Sequence, residues 1–140
     1  MFSKKLTDLI NEKDISISKL AEKLNTAKSV VSYWKNGKSL PQLDKALCLK
    51  AFFNCSLDYL FGSTDFEDVS QAKQISTFDK QLRRILKDRK ITREKFLTDL
   101  NMSNNNFNSW YKVKSNPRMD TIVKIADYLQ VSIDYLVGIE

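Results

Sequence analysis

The sequence predicts an all-α fold of two tandem five-helix units, and three observations carry that prediction. Apolar residues recur at three- and four-residue spacing along most of the chain, the period of one helix face. Residues that interrupt helices are few, with three Gly and two Pro among 140 residues. The chain also matches itself when shifted by 76 residues, which lays "SLDYLFG" (56–62) on "SIDYLVG" (132–138). That shift also lays Phe2 on Phe78, Leu6 on Leu82, Leu24 on Leu100, Trp34 on Trp110 and Pro41 on Pro117. No gap is needed, and 17 of the 61 residues in 2–62 are identical to their counterparts. The expected domains are therefore 1–62 and 78–140, with 63–77 as an acidic, polar linker. A unit of about 60 residues buries a modest core, so packing between units or dimerisation would help it.

Each helix has its own signal. In the first unit Phe2, Leu6, Leu9 and Ile10 mark a first helix. Ser16 or Ser18 can cap a second, with Leu20, Ala21 and Leu24 facing inward. "NTAK" makes a short break, and Val30, Val31 and Trp34 mark a third helix. Gly37 can stop that helix in the left-handed conformation. After Pro41, residues 43–53 form a fourth helix; Ser56 then caps a fifth, with Leu57 and Leu60 inward and Gly62 closing it. The second unit repeats the pattern with Leu82, Ile85 and Leu86, then Phe96 and Leu100, then Phe107 and Trp110. Met119, Ile122, Ile125 and Leu129 follow, then Ile133 and Leu136. The two Trp fall on core slots, not on stacking platforms. Tyr59, Tyr135, Phe52, Phe53 and Phe61 either form an exposed apolar patch for dimerisation or unit packing, or simply pack locally.

Charge and composition narrow the function. The net charge is +6, distributed as +4 in 1–62, −2 in 63–77 and +4 in 78–140. Two basic units on an acidic connector suit two faces for a polyanion. Cys48 and Cys55 have no counterparts in the second unit, where Lys124 and Val131 stand. A shared disulfide or zinc framework would have been duplicated, so both are expected as reduced core thiols. His is absent, no Gly-rich phosphate loop occurs, and no paired carboxylates lie in an apolar setting, so no enzyme, metal or cofactor is expected. The sequence shows no signal peptide and no long apolar run, so a cytoplasmic protein without membrane contact is expected.

Two short helices joined by a tight break inside such a bundle form the helix-turn-helix pattern. The stretch "SKLAEKLNTAKSVVSYWKNGKSLP" resembles the phage repressor and Cro-type (Xre-like) helix-turn-helix family, and "SLDYLFG" is similar to that family's usual last helix. The resemblance covers nearly all of both units. It implies lambda-repressor-like domains, double-stranded DNA as partner, a third helix in the major groove and a following loop on phosphates. Base-reading positions are then Lys28, Ser29, Ser32 and Tyr33 in unit one and Asn104, Asn105, Asn108 and Ser109 in unit two, where Ser103 can cap the helix. Lys suits guanine or a phosphate, Ser suits any base, and Asn pairs in bidentate fashion with adenine. Phosphate contacts fall to Asn36, Gly37, Lys38 and Ser39 in unit one and to Lys112, Lys114, Ser115 and Arg118 in unit two. Arg93 opens the second helix where the family places a phosphate contact, whereas unit one has Ile17 there.

Both copies depart from that family. Ala21 becomes Leu97, expected to push two helices apart or shift packing at about 1–3 kcal/mol unless neighbours shrink. Gly37 becomes Val113, which resists the left-handed conformation. Lys50 stands where the family prefers a small apolar residue, as at Ala126. The expected function is a sequence-specific transcription regulator, a repressor of phage or mobile-element type. The alternative is a helix-turn-helix scaffold repurposed as a protein-binding inhibitor or antirepressor, with unit two serving a partner or dimerisation. The connector's 15 residues reach about 50 Å when extended. Half-sites on one DNA face lie about 34 Å apart, so one chain can act as an intramolecular pseudo-dimer, while a homodimer is the other arrangement. A helical connector would instead hold the units side by side.

Overall fold

The computed structural model describes residues 2–62, 76–111 and 116–139. It divides the chain into two compact units, Met1–Ser70 and Gln71–Glu140. Most of the expected linker, residues 63–75, lies outside the described residues. In the first unit the helices are α1 (Phe2–Glu12), α2 (Ile17–Lys23), α3 (Lys28–Lys35), α4 (Leu43–Phe53) and α5 (Leu57–Phe61). In the second they are α6 (Phe78–Asp88), α7 (Arg93–Asp99), α8 (Asn104–Tyr111), α9 (Met119–Leu129) and α10 (Ile133–Leu136). The fold is all-α, in tandem copies, as the periodicity predicts.

The duplication extends to backbone conformation. Left-handed residues other than Gly occur at Asp14, Asn25 and Asn54, and again 76 positions on at Lys90, Asn101 and Gln130. Each follows a helix, where such a residue lets the next amides turn back onto orphan carbonyls. After α2, Asn25 N–H donates to Glu22 O at 3.1 Å and Thr26 N–H to Ala21 O at 2.9 Å; after α7, Asn101 donates to Thr98 and Met102 to Leu97 at 3.1 and 2.9 Å. Helix starts repeat too. Ser16, not Ser18, caps α2, accepting from Lys19 N–H at 3.1 Å, and Thr92 does the same for α7 from Lys95 N–H. Ser56 caps α5 and Ser132 caps α10, accepting from Tyr59 and Tyr135 N–H at 2.9 and 3.0 Å.

Each unit closes around one core. Leu6, Leu20, Val31, Leu49, Leu57 and Leu60 are fully enclosed in the first, and Leu82, Phe96, Ile122, Ile125 and Leu136 in the second. Trp34 and Trp110 are buried, as their spacing predicts. In unit one α1 packs on α3 and α5, α2 on α3 and α4 on α5; in unit two α10 packs on both α6 and α9. One slot on the first helix ties it to the last in both copies with different chemistry. Lys5 Nζ donates to Gly62 O at 3.2 Å, and its counterpart Gln81 Nε2 donates to Tyr135 O at 2.9 Å. The carbonyl at the end of the second helix also gains a lysine in each copy, from different places. Lys45 Nζ reaches Leu24 O at 2.8 Å, and Lys124 Nζ reaches Leu100 O at 3.1 Å.

The sequence expectations need correction or refinement at several places. Cys48 is exposed and only Cys55 is buried, both as free thiols. The inward face of α4 runs through Leu43, Ala46, Leu49 and Phe53, which turns Cys48 outward like its exposed counterpart Lys124. The aromatic residues near α5 make local contacts, with Phe52, Tyr59 and Phe61 half-buried. Phe53 is buried, Phe61 stacks parallel on Phe2 at 4.6 Å, and Lys5 Nζ sits 4.9 Å above the Tyr59 ring. Leu97 is buried, and its neighbours are larger than those of Ala21: Phe96 and Phe107, edge-on at 5.9 Å, stand where unit one has Leu20 and Val31. Lys50 is accommodated by donating to Cys55 O at 3.2 Å, at the turn that ends α4. Val113 lies outside the described residues.

Candidate nucleic-acid interface

The two third helices, α3 and α8, each bury an apolar pair and expose polar residues at their start. Val31 and Trp34 anchor α3; Phe107 and Trp110 anchor α8. Spacing of three between the anchors puts both on one side, so the residues between and before them face outward. On α3 Lys28, Ser29 and Tyr33 are exposed and Ser32 is half-buried. On α8 Asn104 and Asn105 are exposed, while Asn108 and Ser109 are half-buried. Asn106 is exposed as well, and sequence reasoning missed it because its counterpart in register is the apolar Val30.

After α3 the chain makes the turn that Gly37 predicts. Asn36 ends the helix, Gly37 takes φ +76°, Gly37 N–H donates to Trp34 O at 3.2 Å and Lys38 N–H to Tyr33 O at 2.9 Å. Asn36, Gly37, Lys38 and Ser39 are all exposed along this turn, together with Leu40, a further residue missed from sequence. Short donors and a cation beside an exposed polar helix match what a phosphate backbone requires. In unit two the corresponding Lys112, Lys114 and Ser115 lie outside the described residues. Arg118 is exposed just before α9, and its Nε lies 3.5 Å from Asp120 Oδ1.

Arg93 lies against α8. Its Nη2 donates to Asn108 Oδ1 at 2.8 Å and approaches Asn104 O at 3.5 Å, while the guanidinium lies 4.5 Å from the centre of the Phe107 ring. Three residues assigned separately from sequence are thus brought together. Ile17, its counterpart in unit one, can make none of these polar contacts. Further along α8, Arg83 lies 3.9 Å over Tyr111, and Tyr111 packs edge-on against Phe107 at 4.3 Å. Burial pushes the Tyr111 phenol up to about 12, with Arg83 opposing and Asp79 adding to the shift. Unit one has Thr7 and Lys35 in place of Arg83 and Tyr111, so only α8 carries this ladder of rings and guanidinium groups.

Two stretches of the chain match known families. Residues 81–140 match the Cro/C1-type HTH DNA-binding domain, and residues 6–60 match the family described as helix-turn-helix. Among curated proteins, the HTH-type transcriptional activator BcrR of Enterococcus faecalis is 27% identical over 79 residues, covering 56% of this chain and 39% of that protein. The HTH-type transcriptional regulator YobD of Bacillus subtilis (strain 168) is 32% identical over 68 residues, covering 49% of this chain and 61% of that protein. The chain thus spans less than two thirds of both. A solved transcriptional regulator from Listeria innocua aligns with 79% of this chain and 95% of its own, at 22% identity and a TM-score of 0.44. Among the described residues no helix is long and apolar enough to cross a membrane.

Proposed function

The chain is built of two tandem Cro/C1-type helix-turn-helix domains, and from that premise we propose that it is a sequence-specific transcription regulator of double-stranded DNA. The reading extends to a repressor of phage or mobile-element type that works by occupying an operator. One observation carries it: in both domains the third helix offers exposed polar side chains at its start, Lys28 and Ser29 on α3, Asn104 and Asn105 on α8. Base edges in a major groove are read from that part of a recognition helix. Lys28, Ser29, Ser32 and Tyr33 serve domain one; Asn104, Asn105, Asn108 and Ser109 serve domain two. Asn36, Gly37, Lys38 and Ser39, with Arg93, Lys112, Lys114, Ser115 and Arg118 in domain two, are assigned to phosphates. A cytoplasmic location accompanies this role. One relative bears the name of an activator; an occupied site beside a promoter serves either sign, and a reporter gene under the selected site decides between them.

The test is selection from a random duplex pool, followed by affinity measurement at physiological salt. Selected DNA should contain two unlike half-sites and bind about 10³-fold or more tightly than random DNA. Equal affinity for selected and random duplexes sinks the operator reading and favours the protein-binding scaffold.

A further inference from the structure

We propose that Arg93 is a positioning residue that sets the polarity of Asn108 and thereby makes domain two prefer guanine over adenine at the base pair Asn108 faces. The inference rests on α8 entering a major groove. Arg carries only donors, so the atom of the Asn108 amide that faces Arg93 Nη2 at 2.8 Å must be the acceptor Oδ1. The amide plane is then fixed, and the NH2 group carries its two hydrogens away from the arginine. Arg93 is itself held in place: its guanidinium lies over the Phe107 ring at 4.5 Å and approaches the Asn104 carbonyl at 3.5 Å. Phe107 is a buried anchor of α8, so the clamp moves with the helix and is not a mobile surface pair.

The consequence is a change of code. An unconstrained Asn reads adenine by accepting from N6–H2 while donating to N7. With one of its two lone pairs taken by a cationic donor, Oδ1 is a weakened acceptor and the polarised NH2 a strengthened donor, so Asn108 favours donating to DNA. Guanine offers two neighbouring acceptors, N7 and O6, whereas adenine offers one acceptor beside a donor. Domain one holds Ile17 and Ser32 at these positions and has no such device. The asymmetry between the domains therefore includes how one side chain is oriented, beyond which side chains are present.

Selection from a random duplex pool, run in parallel on the full chain and two variants, tests this. Arg93→Met keeps the long stem over Phe107 but removes every donor. It should lower the guanine-over-adenine ratio at one base pair of domain two's half-site by about tenfold while leaving other positions unchanged. Asn108→Asp keeps the partner of Arg93 and so guards against misfolding of the first variant. With one oxygen held by Arg93 and the other outward, it should move the same position toward cytosine, whose N4–H2 is a donor. Weaker binding of Arg93→Met at unchanged base preference would make Arg93 a phosphate contact alone and overturn the assignment. So would an unchanged preference in Asn108→Asp. A pool that enriches no sequence with the parent chain overturns the DNA reading itself, and the assignment with it.

Discussion

At the residue scale, two glycines of the first unit hold their places for different physical reasons. Gly37 takes φ +76°, a conformation that costs an L-residue about 1–2 kcal/mol, while a Cβ there would meet Ser3 only at ordinary contact, 3.6 Å. Gly62 has φ −96°, which any residue can adopt, yet a Cβ there would lie 2.5 Å from Asp58 O. Gly62→Ala must shift the backbone of α5 and should cost about 2–3 kcal/mol, more than Gly37→Ala at about 1. Denaturant midpoints check this, and the reverse order would refute it. Tyr111 supplies a pH prediction. Its folded pKa is raised to about 12 from 10, so its contribution to stability is complete below pH 10 and is lost as pH climbs towards 12. Domain two should therefore lose stability in that window, and Tyr111→Phe should remove both this loss and a late step in tyrosinate absorbance. Part of this scale was legible in sequence. Asn tolerates the left-handed region, which accounts for Asn25, Asn54 and Asn101. Lys90 and Gln130 give no such hint; their turns are held by Ile91 N–H on Leu86 O and Val131 N–H on Ala126 O.

At the scale of elements, helix period and capping residues placed the core-facing sides correctly, because burial of a stripe is a local property of spacing. The same logic erred at Cys48, whose apolar type suggested an inward slot that the face of α4 does not provide. Asn106 was missed because register was borrowed from Val30, and a copy keeps its fold more faithfully than its surface. The turn after α3 is the element whose role is simplest to test. If Lys38 neutralises one phosphate, Lys38→Ala should weaken binding evenly across sequences and make the slope of log affinity against log salt shallower by about 1. A change in base preference with an unaltered slope would move Lys38 from the backbone to the bases.

At the scale of the whole molecule, duplication allows each copy to diverge while the other keeps binding. Both domains are basic to the same extent, +4 each over 1–62 and 78–140, so neither has shed the charge that a polyanion demands. Their third helices share only the Trp among "KSVVSYW" and "NNNFNSW". On the DNA-binding reading this pairing calls for two unlike half-sites. Fully extended, the 15 residues of 63–77 would reach about 50 Å, against about 34 Å between half-sites on one DNA face.

The sequence by itself determined the architecture: two copies, with five helices each among the described residues, the anchors Trp34 and Trp110, the capping Ser56 and Ser132, and the helices that face outward. These follow from spacing and near-neighbour hydrogen bonds, which a linear text records. Only the tertiary structure decided that Arg93 meets Asn108 across 15 residues, that Arg83 covers Tyr111 across 28, and that Lys45 and Lys124 reach equivalent carbonyls, Leu24 O and Leu100 O, from different turns. Those contacts depend on where one helix lies on another. Packing sets that position, and no local pattern in the chain encodes it.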